Sequence, residues 1–227
     1  MSLSVSKRFK KFKDHLRASM EGDLSTPEAR RRAWWHFQLF DHAFLRSWWT
    51  NFDKVAEGVF RSNHPNPKRL AAYKKRGIVA VLNLRGDDGH SPWLFEKEAC
   101  DALGLDLRVA TIYPRRPASA DELLNLIDVM RAMPKPFVMH CKSGADRAGL
   151  ASVLYKLAIE GSPIEEARPH LGLRYLHLKS TATGVLDFII DRWIRRNRET
   201  GIGIEEWLRR EYDPAAIFTD FKAGSPA

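Results

Sequence analysis

The segment His140-Cys141-Lys142-Ser143-Gly144-Ala145-Asp146-Arg147-Ala148-Gly149 places a thiol, a carboxylate and a guanidinium in one short run, with five residues between Cys141 and Arg147. The run before it, KPFVMHC, reads as a short buried strand, and the residues after it read as a helix. A tight strand-to-helix loop turns successive backbone N–H groups inward, and the helix adds its positive N-terminal end, so the loop suits a phosphate dianion. The same field lowers the pKa of a cysteine at the base of the loop and favours the nucleophilic thiolate. Arg147 can close the cradle with a bidentate contact to two phosphate oxygens. Gly144 lets the backbone turn without a Cβ in the way. Lys142, Ser143, Gly144, Ala145, Asp146 and Arg147 are the expected phosphate-binding residues, with Cys141 as nucleophile. His140 is expected to hydrogen-bond within the loop and support the thiolate.

The elements that must position this loop alternate. The catalytic domain begins near Val55 with a short strand, VFRS. Asn66-Pro67 is a good N-cap and first-turn pair for a helix ending at Gly77. Residues 78–84 (IVAVLNL) form a nearly continuous apolar run, as expected of a strand covered on both faces. A polar loop (RGDDGHSP), a helix over 93–103, a strand over 106–112 and a helix over 120–132 follow, the last opened by a Ser119/Glu122 capping box. From Ala148 the chain reads as wholly helical. Ser162-Pro163 with Glu165 starts one helix, and Val185, Leu186, Ile189, Ile190, Trp193 and Ile194 mark the core side of another. The expected fold is α/β, a central sheet flanked by helices.

HCKSGADRAG resembles the HCxxGxxR phosphate-binding loop of the cysteine-dependent protein tyrosine and dual-specificity phosphatases. FRSNHP, GIVAVLNLR and the helix after Arg147 are similar to the bacterial, atypical members of that superfamily, over roughly residues 55–195. The resemblance implies a phosphotyrosine-phosphatase-like sheet and a phosphomonoester hydrolase that works through a cysteinyl phosphate and needs no metal or cofactor. Many such enzymes carry an acid loop upstream. Here that segment, Tyr113-Pro114-Arg115-Arg116-Pro117, holds no carboxylate, and Asp121 beyond it suits a helix first turn. The CxxGxDR form resembles the mycobacterial secreted phosphatases and, more distantly, the myotubularin lipid phosphatases, in which the loop aspartate is thought to protonate the leaving oxygen. That implies Asp146 as general acid, and a carboxylate beside bound phosphate should hold its proton more tightly. Asp87 and Asp88 are the weaker candidates. One departure from the family is Ala148, where most relatives place a Ser or Thr hydroxyl that helps the thiolate leave. Ser143 is the substitute within reach, and a catalytically weak phosphate-binding pseudophosphatase is the alternative reading. A rhodanese-like persulfide carrier is a further alternative, against which Arg147 argues.

The 227 residues suffice for one well-buried core, and two cysteines, Cys100 and Cys141, exclude a disulfide scaffold and fit a reducing compartment. Cys100 reads as an ordinary buried thiol. No apolar run approaches the ~20 residues of a membrane span, and the basic start MSLSVSKRFKKFK lacks a signal-peptide core, so a cytoplasmic location is expected. The net charge of +9 is uneven, since residues 1–50 hold ten Lys/Arg against five Asp/Glu and four of the seven Trp. These residues form an expected basic, aromatic helical extension to the domain over 51–227. Val5, Phe9, Phe12 and Leu16 lie at helical spacing, and a second helix is expected from Pro27 to about Trp49. The expected partners are a phosphorylated protein, or a phosphate-bearing lipid or inositol substrate favoured by Lys142, Arg115 and Arg116, with peripheral contact to an anionic membrane at its inner face. No nucleic-acid-binding module is recognisable, so no nucleic acid is expected.

Overall fold

The computed structural model describes residues 24–227. Its helices are α1 (Pro27–Trp35), α2 (Pro67–Lys75), α3 (Ser91–Leu103), α4 (Ala120–Arg131), α5 (Asp146–Tyr155), α6 (Ile164–Ala167), α7 (Val185–Thr200), α8 (Ile204–Arg210) and α9 (Pro214–Ala223). The strands β1 (Asp53–Ala56), β2 (Val59–Asn63), β3 (Ala80–Asn83), β4 (Asp106–Val109) and β5 (Phe137–Cys141) make a five-stranded sheet in the order β1-β2-β5-β3-β4. β1, which the sequence pattern does not announce, pairs antiparallel with β2, and the other pairings are parallel.

Both faces are covered, and this explains the continuous apolar runs. Ala80, Leu82, Phe137 and Met139 join Leu123, Leu126 and Ile127 of α4 and Leu150, Val153 and Leu154 of α5 in the larger core. Val81 and Val138, one residue out of phase, pack on the opposite face with Leu70, Tyr73 and Cys100. Strand β5, buried at every position, lies between β2 and β3. Its last residue pairs with Asn63, and His140 pairs with Asn83. β2, β5 and β3 run parallel, so the carboxyl ends of three strands lie side by side at Cys141.

The expected caps are present. Asn66 Oδ1 accepts from Arg69 N–H at 2.9 Å, and Ser119 and Glu122 exchange both bonds of the capping box. Helix α6 is shorter than the Ser162-Pro163-Glu165 pattern suggests. Ser162 Oγ turns to Glu160 instead of capping, and Pro169 forces a tighter turn over Arg168–His170.

The second N-terminal helix differs from expectation more sharply. It leaves α-geometry after Trp35, widens through His36–Phe40 and bends at Asp41, and only a short 3-10 turn, Leu45–Ser47, follows. The break lets Asp41 turn inward, where its carbonyl and carboxylate accept from Arg46 Nη1 and Nη2. Ala33, Phe37 and Ala43 pack with Phe95 of α3. Trp34, Trp35, Leu39, Phe44, Leu45 and Trp48 stay exposed, Trp48 at 92%, so this segment is not buried all round. The helix expected around Phe9 and Phe12 lies outside the described residues.

Candidate active site

The loop between β5 and α5 is held from outside by its carbonyls. Lys142 O accepts from His64 N–H at 3.3 Å, and Ser143 O accepts from Asn51 Nδ2 at 2.9 Å. Gly144 O and Ala145 O accept from Arg61 Nη2 at 2.5 and 3.2 Å. In a trans peptide the N–H of the next residue points opposite to the carbonyl. Anchoring these four oxygens therefore turns the N–H groups of Ser143, Gly144, Ala145 and Asp146 to the other side of the loop. Gly144 adopts φ +75°, and a Cβ there would stand 2.7 Å from Asn63 N and 2.8 Å from Ser62 C. No other residue fits that approach.

Arg61 is fully buried, and its second Nη donates to His170 O at 2.5 Å while its guanidinium lies 3.7 Å over the Tyr175 ring. Burial pulls its pKa down to about 10, partly offset by the phenol and thiol nearby, so it stays a cation at neutral pH. Cys141 is 1% exposed at the foot of the loop. Arg147 follows in the first turn of α5 with its buried Nε unpartnered by protein.

His140 does not bond within the loop as expected. Its Nε2 stands 2.5 Å from Glu96 Oε1 on α3, both side chains being fully buried, and Asn83 Nδ2 donates to Glu96 Oε2 at 2.6 Å. His64 meets the His140 ring edge-on at 4.8 Å. Burial, with the neighbouring Arg85, His140, Arg46 and Arg69, holds His64 well below the usual imidazole range, which is the neutral form. His64, Glu96 and His140 are a group of metal-ligand type, their donor atoms within 4.8 Å of one another. Two ligands on one ion with ~2.0–2.1 Å bonds stand about 3.3 Å apart, so the closer His140–Glu96 spacing does not suit a shared ion.

Asp146, the first residue of α5, takes part in a chain of contacts. His177 Nδ1 lies 2.7 Å from Asp146 Oδ1, and His177 Nε2 lies 2.5 Å from Asp187 Oδ2 on α7. Arg168 Nη2 donates to Asp187 Oδ1 at 2.7 Å. Burial disfavours charge on His177, but the hydrogen bonds to Asp146 and Asp187 outweigh it and push its pKa up to about 9.

Lys142 leans the other way, 3.3 Å from Asp41 Oδ1, where Arg85 Nη2 also arrives at 2.7 Å. Burial opposes charge on Asp41, yet Arg85, Arg46 and Lys142 hold its carboxyl well below the usual range. Asp41, Arg85, Lys142, His42, Asp88 and Phe40 line part of a cavity of ~460 Å³ beside the loop. Asp87 and Asp88 are exposed, and Asp88 accepts from His90 N–H at 3.2 Å. Asp121 is exposed in the first turn of α4. Arg115 and Arg116 are exposed too, and Arg116 stacks 3.8 Å over Tyr113.

The sheet and its helices have counterparts among solved phosphatases. The crystal structure of TpbA from Pseudomonas aeruginosa superposes with a TM-score of 0.50 at 18% identity, covering 61% of this chain and 84% of that one. A mutant form of Tk-PTP superposes at 0.50 with 17% identity, covering 64% and 97%. The fold is that of the cysteine-dependent phosphatases. In sequence, the chain is 25% identical over 118 residues to the dual specificity protein phosphatase TpbA of P. aeruginosa, covering 49% of this chain and 48% of that protein. The chain thus spans about half the length of the curated relatives it matches. No family model matches it.

Within the cysteine-dependent phosphatase fold, the predicted residues 140–147 come together in one loop. The supports from afar are what sequence reasoning missed. Arg61 sits in the quoted FRSNHP, so its signal was present but unread. Asn51, Glu96, Asp41, His177 and Asp187 carry no local signal, because each reaches the site across the fold. Cys100 is buried, as expected, and its thiol is pushed up to about 12 by burial and by Glu96 and Asp101.

Proposed function

We propose that the chain is a phosphomonoester hydrolase acting through a cysteinyl phosphate on Cys141, of the protein tyrosine or dual-specificity type. The observation that carries this reading is the outward anchoring of four loop carbonyls, which turns the peptide N–H groups between them to the opposite side of the loop. Cys141 Sγ attacks phosphorus in line, the S–P bond forms as the ester P–O bond breaks, and Asp146 protonates the leaving oxygen. Arg147 and the amides from 142 to 147 hold the equatorial oxygens. Water then attacks phosphorus, its proton is taken by Asp146, and the thiolate leaves. Preorganised dipoles and a fixed cation supply most of the stabilisation, since they need no reorientation as charge moves onto the equatorial oxygens. The name of the sequence relative supports a phosphoprotein substrate. We take residues 51–227 as the catalytic unit and 1–50 as its extension.

A second reading, a lipid or inositol phosphate met at an anionic membrane face, is favoured by the exposed Trp34, Trp35, Leu39, Phe44, Leu45 and Trp48. Among the described residues no helix is long and apolar enough to cross a membrane, so such contact would be peripheral. Deleting residues 1–20 should leave activity on small substrates intact and reduce binding to phosphatidylserine vesicles. Equal vesicle binding by both proteins removes this reading.

The deciding assay is phosphate release from phenyl phosphate, a small aryl phosphate whose leaving group needs a proton, by wild type, Cys141→Ser and Asp146→Asn. Turnover that vanishes in Cys141→Ser and falls at least about tenfold in Asp146→Asn, ~1.4 kcal/mol of barrier, supports the reading. Phosphate binding without release, even with inositol and lipid phosphates, leaves a pseudophosphatase instead. Ala148, fully buried at the loop's end, is the residue that favours this outcome.

A further inference from the structure

The carboxylate beside Arg147 is not free to rotate. Asp146 Oδ1 is 2.7 Å from His177 Nδ1, and the far nitrogen of the same ring is 2.5 Å from Asp187 Oδ2. His177 is 2% exposed and Asp187 likewise, so the ring is clamped between two carboxylates with little water to compete. Asp187 is itself held by Arg168, and Arg168 also reaches Asp191 at 3.2 Å, which Lys179 pairs at 2.6 Å. These are the charged groups facing the ring from α5, α7, the Arg168 turn and its own loop. Arrangements of carboxylate, imidazole and carboxylate fix the tautomer and orientation of the ring, and they let one proton occupy either end of the bond to the outer carboxylate.

We propose that His177, fixed by Asp187, is the positioning residue that aims Asp146 and resupplies its proton, an inference that rests on the phosphatase reading. In the resting protein the shared proton lies on Nδ1 of the imidazolium. As the ester P–O bond breaks, the Nδ1 proton passes to Asp146 and from Asp146 to the leaving oxygen. The ring is left neutral, with Nε2–H donating to Asp187. When water attacks the cysteinyl phosphate, its proton passes to Asp146 and back to Nδ1, and the S–P electron pair returns to Cys141. No proton is gained or lost over the cycle beyond that of water. A cavity of ~430 Å³ lined in part by His177, Asp187, Arg168, Lys179 and Leu178 lies beside the ring. The arrangement also answers the question that a loop acid raises. A carboxylate whose only neighbours were Arg147 and helix amides would be held ionised, and an acid needs a proton close by.

The test compares wild type, His177→Gln and Asp187→Asn, each checked by thermal unfolding, on p-nitrophenyl phosphate and on phenyl phosphate. The first leaving group needs little protonation and the second depends on it. His177→Gln and Asp187→Asn should lose about tenfold or more on phenyl phosphate and under about threefold on p-nitrophenyl phosphate. The alkaline limb of kcat/KM, near pH 9 in wild type, should move to lower pH in both variants. In an Asp146→Asn background, adding His177→Gln should cost less than about twofold, because the two act as one unit. Equal losses on both substrates, an unmoved alkaline limb, or additive effects with Asp146→Asn overturn the relay while leaving the phosphatase in place. Turnover that is absent in wild type, or unchanged in Cys141→Ser, marks failure of the phosphatase reading itself, and the relay falls with it.

Discussion

Arg61 and Gly144 are 83 residues apart in the chain, yet Arg61 Nη2 donates to Gly144 O at 2.5 Å from beneath the loop between β5 and α5. A buried cation gives its donors to loop carbonyls, and the peptide N–H groups behind those carbonyls face the other way. Strand register makes this contact, since Arg61 pairs with Met139, two residues before Cys141.

Arg61→Met should therefore do two kinds of damage. It leaves the carbonyls of Gly144 and His170 short of their donor, at about 1–3 kcal/mol for each buried group that finds no substitute, while Ala145 O keeps Gly149 N–H. Urea unfolding should show a loss of at least ~3 kcal/mol, and kcat/KM on an aryl phosphate should fall about a hundredfold or more. Arg61→Lys should recover only part of both, because an ammonium lacks the planar fork.

Gly144→Ala tests the loop from the other side. The added Cβ would meet backbone at 2.7–2.8 Å in a left-handed conformation, and the backbone of β2 cannot retreat. The expected result is a drop in kcat/KM of about a hundredfold with a stability loss of ~1–3 kcal/mol. Near-normal turnover would show that the cradle tolerates a different loop path.

Stability should depend on pH through His177. Its folded-state pKa is raised to about 9, above the ~6.5 of an unfolded imidazole. The contribution is thus fully present below about pH 6.5 and is lost as pH rises toward 9. Asp187, whose pKa is lowered despite burial by His177 and Arg168, adds stability above its unfolded pKa that is lost only in acid, outside this window. Urea midpoints at pH 6, 7.5 and 9 should fall in that order, roughly as this linkage requires, and His177→Gln should flatten the trend.

Asp41→Asn should destabilise through the cations it leaves behind. Arg46, 6% exposed at its side chain, and Arg85 both lose their carboxylate. Breaking a buried pair from one side costs about 3–5 kcal/mol, and partial exposure of Arg85 places the expectation near ~3. Chemical denaturation measures it directly. A change below about 1 kcal/mol would mean that water replaces the carboxylate there.

The sheet, its helices and the loop were legible because they are written in local patterns. Apolar runs at 78–84 and 136–139, the Asn66-Pro67 and Ser119/Glu122 signals and the Cys141-to-Arg147 spacing each act over a few residues. The broken second helix was illegible, because the inward turn of Asp41 is rewarded by Arg85 and Lys142, far along the chain. For the same reason His140 was assigned a partner within its own loop, whereas its contact is with Glu96 on α3. His177 and Asp187 lie in a stretch whose periodicity reports only helix and turn.

By itself, the sequence determined the α/β alternation, the position of the thiol at a strand end and the strand-to-helix loop after it. These follow from hydrophobic period, capping and short-range backbone geometry, which act between near neighbours. The tertiary structure alone decided what holds that loop and what its carboxylate touches. Arg61, Asn51, Glu96, His177 and Asp187 arrive through strand pairing and helix packing, where burial makes each polar contact costly to lose and therefore specific.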